Sequence, residues 1–146
     1  FSGPFTPGKW EIINEKADTM LLAVGSMVPR ALKVCDLVAE KGIPACVVNC
    51  STVKPLDTAF LDSLDGNHSI FTLEEHMLTG GFGLYLTKYC MEHPIPVPRK
   101  CFGVEDGFIQ HGNHELLMKD AGLDEEQIAE TIARIMKEEQ LTWLTR

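Results

Sequence analysis

The chain has 146 residues, 45% of them hydrophobic and 23% charged, with a net charge of −8 and a pI near 5.0. This is the profile of one globular domain with enough apolar side chains for a core. The acidity excludes the basic footprint of a duplex nucleic-acid binder and disfavours anionic membranes, and no run reaches the roughly 18 apolar residues of a membrane helix. Residues Phe1 to Gly8, rich in Pro, Gly and Ser, are expected to form a linker. They lack an initiator Met and the basic and apolar regions of a signal peptide, so the expectation is a chain cut from something longer.

Lys9 to Asn14 suits a short strand, and Glu15 to Asp18 a turn. Thr19-Met20-Leu21-Leu22-Ala23-Val24 is a continuous apolar run, as in a strand covered on both faces. Gly25-Ser26 breaks it, and Ser26 is placed to cap a helix running to about Lys41. That helix has an inward stripe of Val28, Ala31, Leu32, Cys35, Leu37, Val38 and Ala39, and Gly42 ends it. Pro44 to Cys50 is a second buried strand, and Asp57 caps a short helix through Leu64. His68 to Leu73 is a third strand, followed by a loop carrying Glu74-Glu75-His76 and a helix from Gly80 to Met91. The prolines after His93 keep the chain extended into a strand from Arg99 to Phe102. Gly107 to Gly112 reads as a loop, Asn113 as the cap of a helix from Glu115 to Ala121 stopped by Gly122, and Asp124 as the start of a last helix. Its inward side is Ile128, Ala129, Ile132, Ala133, Ile135 and Met136.

Alternating strands and helices imply βαβ units, parallel pairing and right-handed crossovers. The expected fold class is α/β: a three-layer α/β/α sandwich with a mostly parallel, mixed sheet of four to five strands, formed by residues 9–146. The five cysteines (Cys35, Cys46, Cys50, Cys90 and Cys101) form no Cys-x-x-Cys pair, and most sit in apolar runs. They read as small reduced hydrophobes in a cytoplasmic protein.

The chemistry-bearing residues do not assemble into a known catalytic pattern. After the first long strand the order is Gly25-Ser26-Met27-Val28-Pro29, short of the glycines of a dinucleotide fingerprint. Gly80-Gly81-Phe82-Gly83 opens a helix, whose start is able to hold an anion, but no Lys-Ser/Thr pair follows as in a P-loop. The alternative for these glycines is close packing of the helix on the sheet or on a neighbouring chain. Glu74, Glu75 and His76 offer acid/base groups, yet neighbours on a strand point to opposite faces. One carboxylate is therefore expected in an ion pair or capping the next turn. His111 and His114 have a His-x-x-His spacing without the third ligand a zinc site needs, and His111 is placed to bond helix-end groups. There is no Gly-x-Ser-x-Gly elbow. No catalytic, cofactor-binding or metal-binding residue is assigned. Gly25, Ser26, Glu74, Glu75, His76, Gly80, Gly81, Gly83 and His111 remain as candidates for an interface or an anion site.

Leu21 to Val28, then Val53-Lys54-Pro55-Leu56-Asp57, then Thr72 to His76 with Gly80-Gly81-Phe82-Gly83, stand in an order that resembles the C-terminal domain of the transketolase superfamily. Gly103 to Gly112 followed by Ala121-Gly122-Leu123-Asp124 is similar to the 1-deoxy-D-xylulose-5-phosphate synthase branch. Ser51-Thr52 depart from the Arg-Phe of that branch, and Phe108 to Gly112 from the Phe-Gly-x-Ser-Gly of transketolases. The resemblance spans roughly Gly8 to Lys137. It implies a longer thiamine-diphosphate- and Mg²⁺-dependent enzyme, a homodimer or one of paired subunits, whose cofactor motifs lie in other domains. This domain would pack on the middle domain and support the dimer, bind no cofactor and be inactive alone. A transketolase, a 2-oxo-acid dehydrogenase β-type subunit and an independent anion-binding regulatory module stay open as alternatives.

Overall fold

The computed structural model describes residues 6–105 and 113–144. The strands are β1 Glu11–Ile12, β2 Thr19–Ala23, β3 Ala45–Asn49, β4 Ser69–Met77 and β5 Lys100–Val104. They form one sheet in the order β1-β3-β2-β4-β5, with β1 antiparallel to β3 and every other pairing parallel. The helices are α1 Met27–Glu40, α2 Thr58–Leu61, α3 Phe82–Met91, α4 His114–Asp120 and α5 Glu125–Leu144.

Strand alternation builds two cores. Leu21, Ala23, Phe71 and Leu73 face the layer of α1 and α5, whereas Met20, Leu22 and Ile70 face the layer of α2 and α3. Because β2 lies between helices on both faces, all five of its residues are buried, which accounts for its unbroken apolar sequence. The result is the expected three-layer α/β/α sandwich.

Several boundaries differ from the sequence reading. In α1 the buried line is Met27, Val28, Ala31, Val34, Cys35 and Val38, while Leu32 and Ala39 are exposed. The spacing 27, 31, 34 and 38 follows one helix face, and the assigned stripe was too wide. The helix closes as expected: Gly42, at φ +79°, lets its own N–H reach the Ala39 carbonyl and the Ile43 N–H reach that of Val38. Strand β1 is only two residues long, and α2 stops at Leu61. Burial pushes the Cys35 thiol up to about 12 and that of Cys90 up to about 11, so both pack as neutral thiols.

Asp57 ties the N-terminal strand to this frame. Its Oδ1 accepts the Phe60 N–H at 3.0 Å, capping α2, and its Oδ2 accepts the Trp10 N–H at 2.8 Å. Lys9 lies 3.6 Å away, and the Trp10 ring packs on Phe60 and Phe82 at 5.8 and 5.9 Å. Burial alone would raise the Asp57 carboxyl, but the Trp10 and Phe60 N–H groups and Lys9 outweigh it and hold it below its ordinary value. A depressed carboxyl stabilises above its unfolded pKa, and that contribution is lost as pH falls through the folded value. Asp57→Ala should therefore cost about 1–2 kcal/mol at pH 7, and the gap to the parent should narrow toward about pH 3. Urea midpoints at both pH values check this; an equal gap at both would count against it.

Candidate functional site

The connections out of β2 and β4 leave on opposite faces: β2 leads to α1 in one layer, and β4 leads to α3 in the other. Their carboxyl ends therefore form a topological switch point, the place where open α/β sheets expose a crevice. Val24, Val53, Glu74, His76, Met77 and Phe82 line a shallow hollow of 360 Å³ there.

The Glu74-Glu75-His76 stretch is not the loop that its sequence suggests. Strand β4 continues through it to Met77. A register shift between Leu73 and Met77 lets the strand run on beside β5, with Met77 opposite Val104. Alternation consequently sends the two carboxylates to opposite layers. Glu74 is buried at 1% exposure and points toward α3. Its Oε2 accepts the Phe82 N–H and its Oε1 the Gly83 N–H, both at 2.8 Å. These are orphan donors of the first turn, so the cap of α3 comes from a neighbouring strand and matches the positive end of the helix.

Glu75 faces the other layer. Its Oε2 accepts the Ser26 hydroxyl at 2.5 Å, and its Oε1 accepts His114 Nε2. Ser26 and then His114 hold the Glu75 carboxyl below its ordinary value, while Glu75 raises that of His114. Ser26 itself is helical and makes no side-chain cap to α1, contrary to expectation, because its hydroxyl is turned to Glu75. Beside this pair, Arg30 reaches Glu115 at 2.6 Å and Glu125 at 3.1 Å, and Lys33 reaches Glu125 at 3.2 Å.

The glycines do unlike things. Gly25 at φ +57° and Gly80 at φ +76° turn the backbone, with open space where a Cβ would stand. Gly81 is the extended residue before α3, which begins at Phe82 rather than Gly80. A Cβ on Gly81 would meet Glu74 Oε2 and the Met77 carbonyl at 2.5 Å. One on Gly83 would meet Thr72 Oγ1 at 2.6 Å and Cys101 Cβ at 2.8 Å. His76 is exposed at the rim of the hollow. His111 lies outside the described residues, as does the loop expected from Gly107 to Gly112.

Three residues of this arrangement, His114, Gly103 and Arg30, are not among the candidates read from the sequence. Asn113 caps α4 as expected, accepting the Glu115 N–H at 3.0 Å, and this makes His114 the first helical residue. Gly103 lies in β5, where a Cβ would meet Leu78 at 2.6 Å and Glu74 Cγ at 3.1 Å, and a glycine inside a strand marks such an approach. Nothing in the sequence pointed to Arg30. Chemically, Glu74 and Glu75 cannot act as a converging acid/base pair, since each is turned to a different layer. Among the described residues, no group of three or more His, Cys, Asp or Glu side chains could hold a metal ion.

The fold and this switch point define a three-layer α/β domain whose conspicuous strand-end carboxylates are bonded to the domain's own elements. The chain belongs to the transketolase C-terminal domain family, whose profile it matches over residues 8–128. It is 39% identical over 133 residues to a 1-deoxy-D-xylulose-5-phosphate synthase of Crocosphaera subtropica, covering 90% of this chain and 21% of that protein. The corresponding protein of Pelotomaculum thermopropionicum is 40% identical over 129 residues, 86% of this chain and 20% of that one. The chain thus spans about a fifth of the length of the curated relatives it matches. Among solved structures, a split-gene transketolase described as an inactive beta4 tetramer superposes with a TM-score of 0.80 at 27% identity, over 91% of this chain and 44% of that one. A transketolase from Pichia stipitis superposes with a TM-score of 0.63 at 22% identity, over 91% of this chain and 18% of that one, a likeness of fold alone.

Proposed function

We propose that this chain is the C-terminal domain of a 1-deoxy-D-xylulose-5-phosphate synthase-type transferase and serves its assembly rather than its chemistry. The full enzyme would be a cytoplasmic homodimer using thiamine diphosphate and Mg²⁺. It would condense pyruvate with glyceraldehyde 3-phosphate and release CO₂. The observation that carries this reading is the alignment with proteins of that name at about 40% identity over most of the chain. The site geometry fits a structural rather than a catalytic role, since Glu74 and Glu75 cap and tie this domain's own helices. Residues 1–8 would connect the domain to the rest of the enzyme. Gly25, Ser26, His76, Gly80 and Gly81 line the edge that would face the other domains or the second subunit.

The anion-site alternative gains nothing at α3, where the Phe82 and Gly83 N–H groups are bonded to Glu74. Calorimetric titration of the 146-residue chain with thiamine diphosphate and Mg²⁺ tests the proposal. The expected result is no heat of binding; stoichiometric micromolar binding would sink it. In the full enzyme, Glu75→Ala should weaken assembly or stability more than turnover, as read by gel filtration and thermal unfolding beside a steady-state assay; a large fall in turnover with an intact dimer would refute this.

A further inference from the structure

We propose that the Glu75–His114 contact is a pH-dependent latch that docks α4 onto the carboxyl edge of the sheet. Helix α4 has seven residues, of which only Met118 is buried, while Leu116 is 60% exposed. So short a helix with so little apolar burial relies on its polar ties. Two of these ties cross to other elements at its first turn. His114 Nε2 donates to Glu75 on β4, and Glu115 accepts from Arg30 on α1 at 2.6 Å. Glu75 is in turn fixed by the Ser26 hydroxyl at 2.5 Å. One carboxylate thereby joins the end of β4, the start of α1 and the start of α4.

The charges that face His114 are Glu75 from β4, Arg30 from α1 and Glu115 of its own helix, with Glu115 Oε1 3.8 Å from Nδ1. On α5, Glu125 takes up Arg30 and Lys33. A cation at the first position of a helix opposes the helix dipole, so charged His114 depends on Glu75. Of this group only His114 titrates near neutrality, because Arg30 stays charged and Glu75 and Glu115 are held below the ordinary carboxylate range.

The sign follows from the two partners. The hydrogen bond to Glu75 raises His114, so its contribution is complete below the ordinary histidine value and is lost as pH rises through the raised one. Glu75 is lowered, so its contribution holds above the ordinary carboxylate value and is lost as pH falls through the depressed one. The latch is closed in mildly acidic solution and loosens on the alkaline side of neutrality. The Arg30–Glu115 pair does not titrate there, so α4 loosens from the end of β4 while staying tied to α1.

Amide hydrogen exchange of the 146-residue chain, corrected for intrinsic rates, tests this between about pH 6 and pH 9. Protection at Leu117 in α4 and at Ala121, the residue that closes it, should fall about two- to fivefold, the range set by one partly exposed ion pair. Val34 and Val38 in α1 serve as the internal reference and should not change. His114→Gln should show low α4 protection with no pH dependence. Arg30→Met should lower α4 protection at both values while keeping the parent's pH dependence. Flat protection in the parent, or an undiminished pH dependence in His114→Gln, would overturn the latch.

Discussion

Gly83→Val is expected to lower the stability of this chain by about 3 kcal/mol, and Gly83→Ala by about 1–2 kcal/mol, within the range for overpacked interiors. Gly83 sits in the first turn of α3, pressed on the sheet between Thr72 of β4 and Cys101 of β5. An added Cβ would come within 2.6 Å of Thr72 Oγ1 and 2.8 Å of both Cys101 Cβ and Sγ. The Cys101 Cβ is carried rigidly by the strand backbone and cannot swing away. Thr72 Oγ1 is buried and has no hydrogen-bond partner among the described residues, so it sits in close contact with the first turn of α3. Helix propensity pulls the other way, since Ala is favoured over Gly by about 1 kcal/mol in a helix interior. Contacts well inside van der Waals distance on two sides should outweigh that gain. Urea midpoints of the parent and both variants decide the sign, with m expected to stay constant. A Gly83→Ala variant as stable as the parent would show that α3 lifts off the sheet at little cost.

Glu74→Ala is the second large effect, at about 3 kcal/mol. The substitution leaves the Phe82 and Gly83 N–H groups without the acceptor that now bonds both, and each buried unpaired donor costs about 1–3 kcal/mol. Glu74→Gln should cost less. Its amide oxygen still serves one donor, while its NH₂ faces the other and repels it. Parallel unfolding curves measure the loss, and exchange at the first amides of α3 locates it. Wild-type midpoints for both variants would mean that α3 is capped by some other group.

Much of the frame is legible in the sequence. Thr19 to Val24 and Ala45 to Val48 are apolar runs of the length of a strand covered on both faces, and both are strands in the fold. Gly42, Asp57, Asn113 and Gly122 stop or start helices by local chemistry, and each stands at such a boundary in the fold. The stripe of α1 was read too wide, because an apolar residue such as Leu32 signals burial even where no partner covers it. The end of β4 was misread for a related reason. Glu74-Glu75-His76 has the polarity of a loop, yet β5 pairs alongside it after a register shift, and that depends on a strand about 25 residues away.

By itself the sequence determined the α/β class, the number of long strands and the family. Those rest on periodicity, on caps and on ordered motifs, all of them local along the chain. Only the tertiary structure decided what the strand-end carboxylates do. Alternation along β4 turns Glu74 and Glu75 to opposite layers, and the partners they meet are fixed by chain segments far away in sequence. Glu74 meets the start of α3 across a turn shaped by Gly80 and Gly81, and Glu75 meets Ser26 and His114, which lie 49 and 39 positions away. Hydrogen-bond partners at such separations follow from packing, so a strand end that reads as a reactive cluster emerges as the tie between three elements of the fold.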